Sequence, residues 1–187
     1  MGRPRAQGPP LTAADVDELQ AKWGTAIAEI SEAFLAKGDY LSIATAAAAD
    51  LYGFGHSKVL FKPTLAAEVP FRPTGTDGMS YFVGGAHSED KGFATNGGKG
   101  WSKVVFENHN IELLGPTAIS MGHYIFTCAT GEEKGQETSV EVTFGYKRNA
   151  DGKARIFLHH SSMPYNVPKP TEAAEVGKDG MSFSNWA

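Results

Sequence analysis

From Trp101 onward the sequence repeats one pattern four times: a run of alternating residues long enough for a β-strand, followed by a turn or a break. The runs are "WSKVVFENHNIELLG", "TAISMGHYIFTCAT", "TSVEVTFGYKR" and "KARIFLHHSSMPY". "NADG", ahead of the last run, is a strong turn signal, and the asparagines around Asn108–Asn110 mark a bulge in the first. Consecutive strands with short connections form an antiparallel meander. The upstream half of the chain must then cover one face of it.

That half reads as helices. Thr12 with Asp15 three residues later is a capping-box pattern, and Val16, Leu19, Trp23, Ile27, Ile30 and Phe34 follow at steps of three and four. Gly38 is placed to close this helix and Asp39 to cap a second, "YLSIATAAAADLY", ending near Gly53 and Gly55. "KVLFKPTLA" predicts a short strand that Pro63 confines to an edge or a bend. "TDGMSYFVGG" predicts a third short helix, capped by Asp77 and closed by Gly84 and Gly85. The glycine-rich stretch 86–100 reads as a loop, a floppy connection or a lid over a cavity. The fold class is therefore α+β, with N-terminal helices packed on one face of a curved antiparallel sheet. The domain is expected over 12–166, between an N-terminal stretch 1–11 that carries no secretory-signal pattern and a C-terminal tail 167–187. In that tail Phe183 and Trp186 are placed to dock back on the body.

The chemistry is narrowed first by what the 187 residues exclude. A formal charge of −4 from 17 basic and 21 acidic residues gives no nucleic-acid footprint, and no apolar run is long enough to span a bilayer. One cysteine, Cys128, rules out an internal disulfide. There is no G-x-S-x-G and no phosphate loop. The six histidines, His56, His87, His109, His123, His159 and His160, include no His-x-His pair, so no strand offers two zinc ligands on one side. His123 and His160 can meet across strands, but a third ligand would have to come from afar.

Strand parity then selects candidates in the last strand. Ile156, Leu158, His160 and Ser162 share one face; Phe157, His159 and Ser161 share the other. The first set makes an apolar floor with two polar groups at its rim, the composition of a small-ligand pocket. The bland alternative is a hydrogen-bonded core histidine and a serine at a strand end. Apolar residues on both faces of the sheet call for cover on both, and a second copy of the chain is the simplest cover for the face the helices leave open. A homodimer through the sheet is expected.

Seven segments in order, "VLFKPTLAAEVPFRPT", "MSYFVGG", "EDKGFA", "WSKVVFEN", "AISMGHYIFT", "VEVTFGY" and "IFLHHSSMPY", together resemble the iota-class carbonic anhydrases over residues 15–166. The last strand alone also resembles the calmodulin-dependent kinase association domain and other members of the nuclear-transport-factor-like (SnoaL-like) superfamily. The resemblance implies a cone-shaped fold enclosing a pocket, usually dimeric, and reversible hydration of CO2 to bicarbonate. Members are metal-free or manganese-dependent; the metal-free kind implies no cofactor, with manganese for the other. Carried over to this sequence, it implies Thr64 and Tyr81 as site residues beside His160 and Ser162, with Leu158 among the substrate-binding groups. His160 is the expected proton acceptor; His123 or His159 would relay outward, and nothing in the sequence selects between them. Two other readings stay open: a cyclase or isomerase of the same fold, for which Glu141 is the one candidate base, and a non-catalytic module that dimerises or binds a small ligand.

Overall fold

A computed structural model describes residues 8–165; the expected docking of Phe183 and Trp186 lies outside them. Helix α1 (Ala13–Leu35) starts at a complete capping box, in which the Thr12 hydroxyl accepts from the Asp15 amide and the Asp15 carboxylate accepts from the Thr12 amide. It ends one turn before Gly38, and the left-handed residue there is Lys37 (φ 56°), not the glycine. Helix α2 (Tyr40–Leu51) is capped by Asp39, whose carboxylate accepts from the Ser42 amide and hydroxyl. Strand β1 (Leu60–Lys62) is three residues long, stopped by Pro63. Helix α3 (Gly75–Val83) is capped by Thr74; Asp77 supplies the reciprocal half of the box, a correction to its expected role as the cap itself. Stretch 86–100 includes a 3-10 turn, Phe93–Gly98, tied down by the Ser31 hydroxyl on the Ala94 carbonyl.

The meander is β2 (Trp101–Leu114), β3 (Thr117–Cys128), β4 (Glu137–Arg148) and β5 (Ala154–Ser162). Spatial order is β1-β5-β4-β3-β2, antiparallel throughout except that β1 runs parallel to β5. The expected bulge at Asn108–Asn110 is present. Gly122 makes it feasible: a Cβ there would lie 2.1 Å from the Glu107 carbonyl. Helix α1 fills the concave side. Trp23 stacks on Tyr124 (5.4 Å, 5°) and meets Phe106, Phe126, Phe144 and His159 edge-on. The core is thus a single aromatic cluster between α1 and the sheet, burying the period-two and period-3.6 faces against each other.

Candidate active site

The frame of β5 decides which side chains enter the cone. Pairing with β4 runs Tyr146 with Ile156 and then Gly145 with Leu158, so Phe157 is an extra residue, a β-bulge. Ile156 faces inward, as parity expects. The bulge then shifts the alternation by one, and His159 and Ser161 face inward while His160 and Ser162 face out. Gly145 is the enabling residue, because a Cβ there would lie 2.8 Å from both the Leu158 Cβ and the Phe157 ring. The expectation that His160, Ser162 and Leu158 share a pocket with Thr64 and Tyr81 is therefore corrected. His160 is exposed, the Ser162 hydroxyl donates to Glu141 (3.1 Å) on the convex face, and Leu158 lines a groove on that same side.

Of the inward pair, Ser161 meets Thr64, one of the two residues named by resemblance. Thr64, just past β1, donates to the Ser161 hydroxyl at 2.8 Å. Thr64 and Tyr81, from α3, both line a cavity of about 390 Å3 whose walls include Leu65, Phe93, Trp101 and Val140. Burial pushes the Tyr81 phenol well above its ordinary pKa, against the nearby Leu65 backbone and Thr64 hydroxyl. The Tyr124 phenol, from β3, is pushed up to about 12 by burial, with the Ser161 and Thr64 hydroxyls opposing the shift. Both tyrosines are protonated donors at any working pH.

Behind the hydroxyls lies His159, 1% exposed and sandwiched between Phe61 (4.7 Å) and Phe144 (4.2 Å). Desolvation, with a smaller contribution from His160, lowers its pKa to about 3, so the ring is neutral. Its Nδ1 lies 2.8 Å from the Tyr52 hydroxyl and its Nε2 3.4 Å from that of Tyr124. The Trp23 indole donates to Tyr52 at 2.9 Å. Sequence reasoning missed Ser161, Tyr52 and Tyr124. The signal available for Ser161 was Gly145, since a glycine inside an alternating strand marks a bulge.

One wall of the cavity is held by a buried ion cluster. Arg72 donates twice to Asp90 (2.7 and 2.9 Å), once to Glu89 (2.9 Å) and once to the Val69 carbonyl (2.7 Å). Glu89 also accepts from the amides of Ala67, Glu68 and Val69, which hold its pKa down to about 2. The segment after Thr64 is thereby tied to the stretch ahead of the 3-10 turn, so that stretch is a built wall and not a floppy connection. Among the described residues no three His, Cys, Asp or Glu side chains come together in a way that could hold a metal ion.

Comparison with known proteins places the fold and the family. A putative calcium/calmodulin-dependent protein kinase II association domain from Xanthomonas campestris shares the fold, with a TM-score of 0.57 at 23% identity over 89% of this chain and 100% of that one. The crystal structure of the iota-carbonic anhydrase from a cyanobacterium, complexed with bicarbonate, superposes with a TM-score of 0.78 at 35% identity, covering 89% of this chain and 100% of that one. The metal-independent carbonic anhydrase of Nostoc sp. (strain PCC 7120) is 40% identical over 160 residues, 83% of this chain and 75% of that protein. Residues 14–163 match the family described as metal-independent carbonic anhydrase, and the chain belongs to that family.

Proposed function

We propose that this chain catalyses CO2 + H2O ⇌ HCO3⁻ + H⁺ without a metal, using the hydroxyls of Thr64, Tyr81 and Ser161, backed by Tyr124. The observation that carries the reading is the convergence of the Tyr81, Ser161 and Tyr124 hydroxyls, from three separate elements, on Thr64, which with Tyr81 lines a largely apolar cavity. CO2 is apolar overall and suits the Leu65, Phe93, Trp101 and Val140 walls. Thr64 and Ser161 hold the attacking water against it. Tyr81, locked as a donor by its raised pKa, stabilises the negative charge growing on the CO2 oxygens, as an oxyanion hole does. The carboxylates in the cavity wall are not free bases, since Asp90 accepts from Arg72 and Ser80 and Glu89 from Arg72 and three amides. The released proton therefore passes to solvent at the cavity mouth.

The test is CO2 hydration by chelator-treated protein. Ser161→Ala and Tyr81→Phe are each expected to lower kcat/KM about 100-fold with an unchanged circular dichroism spectrum. Ser162→Ala, on the convex face, is expected to stay within about twofold of the parent. Full activity in Ser161→Ala beside a loss in Ser162→Ala would reverse the assignment. The isomerase alternative loses its base, because Glu141 is exposed on the convex face, bonded to Ser162.

A homodimer through that convex face belongs to the same reading. Met121 is 57% exposed on this face, with Ile119 and His123 beside it along β3; Ile125 and Val105 form an apolar pair one step further on, and Phe157 and Leu158 lie two strands away on β5. Apolar area of this kind marks an interface. Sedimentation at micromolar concentration is expected to give a dimer for the parent and a monomer for Met121→Glu; a monomeric parent would end the proposal.

A further inference from the structure

The buried hydrogen bonds behind the hydroxyl cluster have a direction. Indole is a donor only, so Trp23 Nε1–H must donate to the Tyr52 oxygen (2.9 Å). Tyr52 is buried, and its own proton needs an acceptor. The acceptor at hydrogen-bond distance is His159 Nδ1, at 2.8 Å. A neutral imidazole that accepts at Nδ1 carries its proton on Nε2, and Nε2 faces the Tyr124 oxygen at 3.4 Å. Tyr124, receiving on its oxygen, has its proton free to point the other way. The Ser161 and Thr64 hydroxyls, bonded to each other at 2.8 Å, are the side-chain groups that act on this phenol.

We propose that Tyr52, itself held by Trp23, is a positioning residue that fixes His159 as the Nε2–H tautomer and so holds Tyr124 as a donor toward the Thr64–Ser161 hydroxyls. This rests on the carbonic anhydrase reading of the site and adds a polarity to it. The relay Trp23, Tyr52, His159, Tyr124 runs one way, and successive bonds in it polarise one another. To take a proton from the attacking water the relay would have to turn round, and its far end cannot, because an indole nitrogen accepts nothing. His159 is thus a support for the charge-stabilising donors and not the general base. The Phe61 and Phe144 faces on either side of the ring keep water from offering Nδ1 another partner.

The experiment uses Tyr52→Phe, which removes one hydroxyl and keeps the ring, with 15N-labelled histidine. In the parent, the His159 resonances are expected to show an acceptor-type Nδ1 and a protonated Nε2 from pH 5 to 8. In Tyr52→Phe the Nδ1 resonance is expected to lose its hydrogen-bond shift, with the Nδ1–H tautomer appearing. kcat for CO2 hydration is expected to fall about 5–10-fold, the equivalent of one hydrogen bond, with KM unchanged. Trp23→Phe, which deletes the terminal donor, should move the same resonances in the same direction. An Nδ1–H tautomer in the parent, or an identical spectrum in Tyr52→Phe, overturns the proposal. So does an altered tautomer with unchanged kcat. A parent with no hydration activity at any pH defeats the enzymatic reading instead, and the spectra still decide the orientation of the relay.

Discussion

Replacing Arg72 by methionine is expected to cost about 3–5 kcal/mol of folding stability, the usual penalty for removing one partner of a buried ion pair. The Arg72 and Asp90 side chains are both 0% exposed. Without the guanidinium, the Asp90 carboxylate keeps the Ser80 hydroxyl as its hydrogen-bond partner and remains a nearly bare charge in the interior. Urea unfolding at pH 7 measures the loss, and a drop under about 1 kcal/mol would mean that solvent reaches the cluster. The double replacement Arg72→Met/Asp90→Leu removes the stranded charge and should recover most of the stability. It should not recover activity: Glu89 then gathers the amides of Ala67, Glu68 and Val69 without an anchor on its other side, and Thr64 loses its fixed position on Ser161.

The second large effect concerns acid. The folded pKa of His159, about 3, lies below its ordinary value of 6.5. Between those values the unfolded chain binds the proton that the folded chain refuses, so stability is fully present above pH 6.5 and is lost as pH falls through this window. The full shift corresponds to roughly 5 kcal/mol, and the part between pH 7 and pH 5, before carboxylates begin to protonate, to roughly 2 kcal/mol. His159→Gln, which keeps an acceptor and a donor without a titrating group, is expected to flatten the urea midpoint across pH 7 to 5. A slope equal to the parent's would place the titrating group elsewhere. The same burial removes an imidazole step from the pH–rate profile. Hydration that rose with a pKa of 6–7 in the parent and lost that step in His159→Gln would make this ring a base after all.

The helices and the meander were legible because each rests on short-range periodicity: the 3–4 spacing from Val16 to Phe34, and the alternation in four long runs. The bulge at Asn108–Asn110 was legible because polar residues broke one of those runs. The bulge at Phe157 carries no such mark of its own. Its cause sits on the neighbouring strand, in Gly145, and an apolar Phe157–Leu158 pair reads as unbroken strand. The error was then self-concealing: either frame of "HHSS" puts one histidine and one serine two apart on the inside, so the composition of the chosen face gave no warning. Thr64 and Tyr81 were named from family resemblance, and nothing in their local sequence points at Ser161. Arg72, Glu89 and Asp90 were not singled out because the cluster joins residues 17 and 18 apart through an irregular loop, where no period applies. Tyr52 is likewise unremarkable in sequence, an aromatic at the end of a helix.

The doubling in His159-His160-Ser161-Ser162 has a consequence for how this strand tolerates change. Flattening the bulge without removing a residue would rotate every later side chain to the opposite face, which in most strands would empty the interior of its working groups. Here the outgoing imidazole and hydroxyl would be replaced by an identical couple, displaced by one step along the chain. The final strand is in effect written twice, once for each phase, and a slip of its alignment would swap the copies instead of erasing the chemistry.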